Sequence, residues 1–334
     1  MFTFHVMGGK EVRTVIDKTR SEIFGRVRDT YLAHHRGETV NPNSHFLRFP
    51  DKPRARIIAL PASLGGPDAV AGIKWIASFP GNVALNIPRA SAVLVLNDPD
   101  TGYPFACLEA AQISAARTAA SAVLGAEALQ GARTARRIAV IGAGVISRTI
   151  IEFFDTLGWT VGEIAVFDTV PAYAQNAVRH AARLAYRAAA APSLAAAVND
   201  ADLVVLATTA AEPHILDAGL LAPGQNVLNI SLRDLGPELI AGAHNILDDV
   251  DHCLNAGTSP HLAVQKYGHR DFIDGTLAEL LLGEVVLTRA KPRVFSPFGL
   301  GVLDLAVGID VFRAGLESGG AVAVPDFFAE LERW

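Results

Sequence analysis

Cysteine is nearly absent. Cys107 and Cys253 are the only two among 334 residues. Two thiols build neither a disulfide framework nor a cysteine-rich zinc site, so a reducing, cytoplasmic setting is expected. The ten histidines show no metal-ligand spacing, and adjacent His34 and His35 read as helix surface. No metal is therefore expected. No apolar run is long enough to cross a bilayer, although the mean hydropathy is +0.29. That average comes from alanine and valine spread along the chain, and no membrane partner is expected. The opening MFTFHVMGGKEVR has no basic leader followed by an apolar stretch, so it does not read as a secretory signal. An excess of positive charge is missing too. Lys+Arg number 29 against 34 Asp+Glu, a net −5 with no basic block, which makes nucleic acid an unsuitable partner. What is present is ordinary globular material, 50% hydrophobic and 19% charged, which excludes wholesale disorder. At roughly 150 residues per domain, the length suggests two domains.

The texture changes twice along the chain. Val12, Val15, Ile16, Ile23, Val27 and Leu32 recur at helical spacing and predict one helix over 11–35. From 41 to 107, β-rich runs (Arg56–Leu60, Val70–Ile76, Ala92–Leu96) alternate with Pro/Gly turns, which predicts a mostly antiparallel sheet. The stretch 105–130 reads as a long alanine-rich helix. From 136 onward, short apolar strands (Arg137–Ile141, Glu163–Phe167, Leu203–Ala207, Asn226–Ile230, Asn245–Leu247, Arg293–Phe295) are separated by helical segments. Such a pattern is that of a parallel sheet covered on both faces. A last helix is expected over 301–316. The fold class is thus α/β. A central dinucleotide-binding domain spans 119–300, and 1–118 with 301–334 build the other domain from both termini.

The run Ile138–Ser147 reads as strand, glycine turn and helix start. Gly142 permits the tight turn, Gly144 lets a pyrophosphate approach the backbone, and Ser147 stands where the pattern has its third glycine. Asp168 ends the next strand, where an acid bonds ribose hydroxyls and repels a 2′-phosphate, so NAD is expected over NADP. Arg148 lies inside the helix and is no clear phosphate reader. The alternative is a tight turn in an unrelated α/β sheet.

Substrate in such a sheet lies beyond the C-terminal strand ends. There the sequence carries Thr208 and the segment Asn229–Asp234. Asp234 reads equally as a base for an amine proton or as the N-cap of a helix starting near Leu235. Lys74, inside the apolar run Ala71–Ile76, either snorkels to water or meets an anion. Arg117, the one bulky polar group among small neighbours in Gln112–Ser121, is either a carboxylate or phosphate clamp or a surface arginine. Arg48, Arg54, Arg56 and Arg89 add further cations to the N-terminal region, as a substrate with several carboxylates would require.

Gly72–Trp75, Arg89–Ser121, Gly142–Gly144 and Ser296–Asp304 resemble the ornithine cyclodeaminase/μ-crystallin family over essentially the whole chain. The resemblance implies a central Rossmann domain and a mixed α+β domain, built from both termini, that binds substrate and forms a homodimer. It implies that Asp234 is catalytic with Lys74, and that Arg48, Lys74, Arg117, Arg89 and Gly299 bind substrate. Arg117, Thr118, Gly142, Ala143, Gly144, Val145, Ile146, Asp168, Thr208, Asn229 and Ser231 would contact the NAD cofactor. The shorter turn Asp234–Glu238, Arg89 before Ala90-Ser91, and Ile57–Pro61, Gly72–Ile76 and Asn229–Ser231 look like the branch that makes 2,3-diaminopropionate for siderophores and peptide antibiotics. That branch oxidises N-(2-amino-2-carboxyethyl)-L-glutamate with NAD, and water then releases 2-oxoglutarate. Cyclodeaminase, ketimine reductase and amino-acid dehydrogenase activities share the scaffold, as does a non-catalytic, crystallin-like use.

Overall fold

The computed structural model describes residues 2–330. Its contacts divide the chain into two compact units. One holds the described residues up to Arg117 and from Leu300 onward, and the other holds Thr118–Gly299.

The first unit is built on an eight-stranded sheet. Its order is Val322–Val324, Phe4–Met7, Pro104–Glu109, Ala90–Asn97, Val70–Ser78, Lys52–Leu64 and Thr39–Val40, with His45–Phe49 also paired to Lys52–Leu64. Neighbours run antiparallel, except that Phe4–Met7 lies parallel to Pro104–Glu109. Strict alternation sorts the side chains to two faces. Leu60, Ala62, Leu64, Val70, Leu94, Leu96 and Leu108 are buried on one face, over which the helix Gly301–Ser318 packs. That helix buries Val302, Leu305, Ile309 and Phe312. Burial of each such side chain is worth about 1.5–3 kcal/mol, and this seam is the unit's core.

Two sequence expectations are corrected here. The helix expected over 11–35 is two helices, Gly9–Lys18 and Arg20–His35. Thr19 leaves helical geometry between them, with its N–H turned to the Ile16 carbonyl and its hydroxyl to the Val15 carbonyl. The helix expected over 105–130 begins only at Ala111 and runs to Gln130. Residues Pro104–Glu109 form a strand, because Ala106 and Leu108 fall into register with Leu96 and Leu94 on the buried face. Glu109 then starts the helix, its carboxylate accepting from the backbone N–H groups of Ala111 (2.8 Å) and Gln112 (3.3 Å).

The second unit is an eight-stranded, all-parallel sheet. The order is Ala188–Ala190, Thr160–Phe167, Thr134–Ile141, Leu203–Leu206, Asn226–Asn229, Arg293–Ser296, His244–Leu247 and Ile273–Thr276. The strand order reverses direction between Thr134–Ile141 and Leu203–Leu206, the switch point at which doubly wound sheets bind ligands. The alanine-rich stretch after 181 resolves into helix end, short strand Ala188–Ala190 and helix Leu194–Val198. Among the described residues, no helix is long and apolar enough to cross a membrane.

Gly72 sits where Val70–Ser78 passes closest to its neighbour. A Cβ there would run into the Val95 carbonyl oxygen and lie 3.0 Å from Leu305 Cδ2. Gly72→Ala is expected to lower stability by about 1–3 kcal/mol through overpacking. Thermal melting checks this, and an unchanged Tm would mean the strand pair relaxes freely.

Candidate active site

In the first unit, the expected cations come together around an acid the sequence reading did not single out. Lys74, 1% exposed, donates to Asp304 Oδ2 at 2.5 Å and to Ser114 Oγ at 3.2 Å. Arg117 Nε donates to Asp304 Oδ1 at 3.0 Å. Asp304, 0% exposed, lies in the first turn of Gly301–Ser318, where the helix dipole also favours negative charge. Lys74 therefore does not snorkel, and Arg117 is not a surface arginine. Burial first, and then the Arg117 charge, push the Lys74 ammonium down to about 8, against the pull of Asp304. Two buried cations share one carboxylate, so the cluster carries an excess positive charge.

A second cationic group lies on the same sheet face. Arg48 stands opposite Arg56, Arg56 opposite Ser78, and Ser78 opposite Ala90 in register. Arg89 reaches in to donate to Ser78 Oγ at 2.7 Å, and burial lowers its pKa from the ordinary arginine value. Arg48 is exposed, with its guanidinium 5.1 Å from the Phe46 ring centre. Like charges directly opposed across a ladder repel.

In the second unit, the strand Thr134–Ile141 delivers the chain into Gly142, whose φ of 89° is a left-handed value. A Cβ at Gly142 would stand 2.7 Å from the Ala207 carbonyl, while one at Gly144 would meet nothing within 4 Å. The first glycine is thus a packing necessity, and the second leaves room before the helix Val145–Thr156. Ser147 is buried, and its hydroxyl donates to the Gly142 carbonyl, tying helix to turn where the pattern has a third glycine. Asp168 lies beside the turn. Its Oδ2 accepts from Ala143 N–H and its Oδ1 from Val170 N–H, both at 2.8 Å.

Asp234, 0% exposed, follows the strand Asn226–Asn229. The next helix, Pro237–Ala241, is entered through Gly236 without a side-chain cap, so Asp234 is not an N-cap. Instead Asp234 Oδ1 accepts from the Thr208 hydroxyl at 2.7 Å and lies 3.5 Å from His214 Nε2. Leu232 just before it has φ 71°, a strained value for a branched residue. Fully buried Leu235, bridged to Ile215, anchors the far side. Thr208 also accepts from Ala210 N–H, so its hydroxyl serves the Asp234 loop. Gly299, φ 100°, donates its N–H to Asp248 Oδ2 at 2.6 Å, and Phe298 N–H donates to Oδ1 at 3.0 Å. Burial pushes the Asp248 carboxyl above its ordinary value, against those two donors.

The polar atoms of this unit fit a dinucleotide. Asn229 Nδ2 donates to Ser296 Oγ at 3.1 Å. Asn229 Oδ1, Ser231 Oγ and Asp234 Oδ2, all buried, have no hydrogen-bond partner in the protein. Atoms of this kind are open to a bound group or to ordered water. Among the described residues, no group of three His, Cys, Asp or Glu side chains is placed to hold a metal.

Sequence reasoning missed Asp304, His214 and Asp248. Asp304 left one signal, an isolated acid at the head of a strongly apolar helix. His214 and Asp248 left none.

The model of the "Ornithine cyclodeaminase/mu-crystallin family" matches residues 9–306. The N-((2S)-2-amino-2-carboxyethyl)-L-glutamate dehydrogenase of Staphylococcus aureus is 28% identical over 302 residues, 85% of this chain and 87% of that protein. The archaeal alanine dehydrogenase dimer with bound NAD superposes with a TM-score of 0.86 at 23% identity, covering 98% of this chain and all of that one. The Delta(1)-pyrroline-2-carboxylate reductase of Thermococcus litoralis, in complex with NADH and L-proline, also gives 0.86, at 21% identity over 96% of this chain and 99% of that one. These two structures share the fold.

Removing the shared acid is expected to be the costliest single change in the first unit. Asp304→Asn leaves Lys74 and Arg117 buried side by side with no anion between them, and should cost about 3–5 kcal/mol. Lys74→Met should cost less, because Arg117 keeps its partner. Urea unfolding of both variants checks the order.

Proposed function

The chain belongs to the ornithine cyclodeaminase/mu-crystallin family, and from that premise we propose that it is an NAD-dependent dehydrogenase that oxidatively cleaves N-(2-amino-2-carboxyethyl)-L-glutamate. The observation that carries the substrate class is the excess of positive charge on one sheet face. Lys74 and Arg117 share a single carboxylate, and Arg48 and Arg89 belong to the same sheet face. A substrate with three carboxylates would balance the excess charge of the Lys74–Asp304–Arg117 cluster and reach the cations beyond it, and each charge-assisted contact is worth about 1.5–3 kcal/mol. The activity named for the S. aureus relative points the same way.

In this reading Thr118, the turn Gly142–Ile146, Asp168, Asn229 and Ser231 would hold NAD. Asp168 favours a free ribose over a 2′-phosphate. Bound NAD supplies the acceptor for the hydride that leaves the glutamyl α-carbon. Asp234 Oδ2, the oxygen with no protein partner, takes the nitrogen proton as the C–N bond becomes C=N. Water adds to that carbon. The new hydroxyl proton passes to nitrogen, the C–N bond breaks, and 2-oxoglutarate and L-2,3-diaminopropionate leave. One water is consumed, NAD becomes NADH, and the proton on Asp234 goes to solvent. Diaminopropionate would serve as a building block for siderophores or peptide antibiotics. A cytoplasmic location belongs to the same reading, consistent with two free thiols.

The outer face of the first unit's sheet supports a homodimer. Trp75, 40% exposed, stands between Ala59 and Val93 in register, and Ile73 stands between Pro61 and Val95. A contiguous apolar sheet face of this kind marks a protein interface. Trp75→Lys is expected to give monomer by light scattering coupled to gel filtration, and an intact dimer would move the interface elsewhere.

The activity test mixes protein, NAD and candidate amines, follows NADH absorbance and identifies products by mass. N-(2-amino-2-carboxyethyl)-L-glutamate should give NADH, 2-oxoglutarate and diaminopropionate. Ornithine, with one carboxylate and an added cation, should be turned over at least about 100-fold less efficiently, the loss of two charge-assisted contacts. Asp234→Asn should abolish NADH formation and leave NAD affinity nearly unchanged. Proline and ammonia from ornithine would move the chain to the cyclodeaminases. Tight NAD binding with every amine inert would favour a binding protein.

A further inference from the structure

The side chain of His214 lies 3.5 Å from the carboxylate of Asp234, and nothing in the reaction as written uses it. The two loops that carry these residues are tied together. The backbone N–H groups of His214 and Ile215 both donate to the Asp234 carbonyl, at 3.1 and 3.0 Å. The imidazole is 38% exposed while the carboxylate is 0% exposed, so it is a charge that water can set beside a charge that water cannot reach. The bonding is also one-sided. His214 and Thr208 both address Oδ1, and Oδ2 is left without a protein partner.

We propose that His214 is a positioning residue for Asp234. It fixes Oδ1, presents Oδ2 to the substrate nitrogen and, as an imidazolium, sets a positive charge against the buried carboxylate. The proposal rests on Asp234 being the base, as assigned above. The physical case is simple. A buried carboxylate is driven toward its neutral form by desolvation, and an adjacent positive charge opposes that drive. The interaction is mutual, and the bond to Asp234 raises the His214 pKa above its ordinary value, against the lowering effect of burial. Other charges close in sequence on the two segments are Glu212 and Asp217, the Asp217 side chain accepting from Gly219 N–H, and Arg233 next to Asp234. Arg233 spends guanidinium donors on the carbonyls of Ala211 and Ala256, both at 3.4 Å.

The sign of the effect follows. Below the His214 pKa the ring holds a full positive charge beside the carboxylate, and above it the neutral ring offers at most a hydrogen bond. Loss of His214 should therefore cost activity on the acid side and spare the alkaline side.

The experiment compares the pH profile of kcat for wild type, His214→Gln and His214→Phe, using the amine that yields NADH. Glutamine keeps an N–H donor near the Nε2 position without the charge, and phenylalanine keeps only the shape. In both variants activity is expected to fall on the acid side, where the imidazolium is lost. The ratio to wild type would then recover toward parity in alkali. Affinity for NAD should not change. Profiles that superimpose, or a uniform loss at all pH values, would overturn the proposal. NMR titration of the His214 ring needs no turnover. Its pKa should fall in Asp234→Asn, and an unchanged value also overturns the proposal. If the wild type oxidises no amine, the functional reading fails, while the titration still decides whether the two side chains are coupled.

Discussion

A primary ammonium cannot be carried into the middle of an apolar sheet unless an anion meets it there. Lys74 lies opposite Leu60 on one side and Leu94 on the other. Asp304 is the anion, and its position dictates much of the first unit. The acid must stand at the head of Gly301–Ser318, and that helix must lie across the strands so that the acid reaches the lysine. Arg117 must then close on the other carboxylate oxygen. Gly308 accommodates the crossing, since a Cβ there would collide with Leu94. The packing of the core and the placing of the charges are one geometrical problem.

The second unit answers a different constraint, the shortage of room at the end of a parallel strand. Backbone and side chains converge between Ile141 and Ala207, and only a residue without a Cβ fits at Gly142. Ser147 then does by a hydrogen bond what a glycine would do by absence of bulk. The same crowding recurs on the Asp234 loop, where Leu232 accepts a left-handed backbone. Strain of that kind is tolerated where neighbours over-determine the position. Here the neighbours include Ser259, whose N–H donates to the Leu232 carbonyl at 2.7 Å.

The glycine turn was readable in the sequence because its physics is local: strand, turn and helix start adjoin in the chain. Lys74 and Arg117 could be picked out one at a time, since each is odd among its neighbours. The carboxylate between them was not readable, because it lies 230 residues from Lys74 and nothing local links the two. Asp234 was ambiguous for a related reason. An acid after a strand is compatible with capping or with chemistry, and the uncapped entry through Gly236 that removes the first is a tertiary fact. The strand Pro104–Glu109 was hidden by alanine and by its continuity with the helix that follows. Its β character comes from the strand beside it.

The sharing of one carboxylate by Lys74 and Arg117 has a consequence for the folded state itself. Two buried cations held against one anion raise the free energy of the native chain, and an anion that settles beside them would relieve that excess. Stability then becomes a function of occupancy, growing as RT ln(1 + [L]/Kd) for a ligand that binds only the folded form. The resting molecule is in this sense incomplete, and a bound anion would be part of what makes it whole.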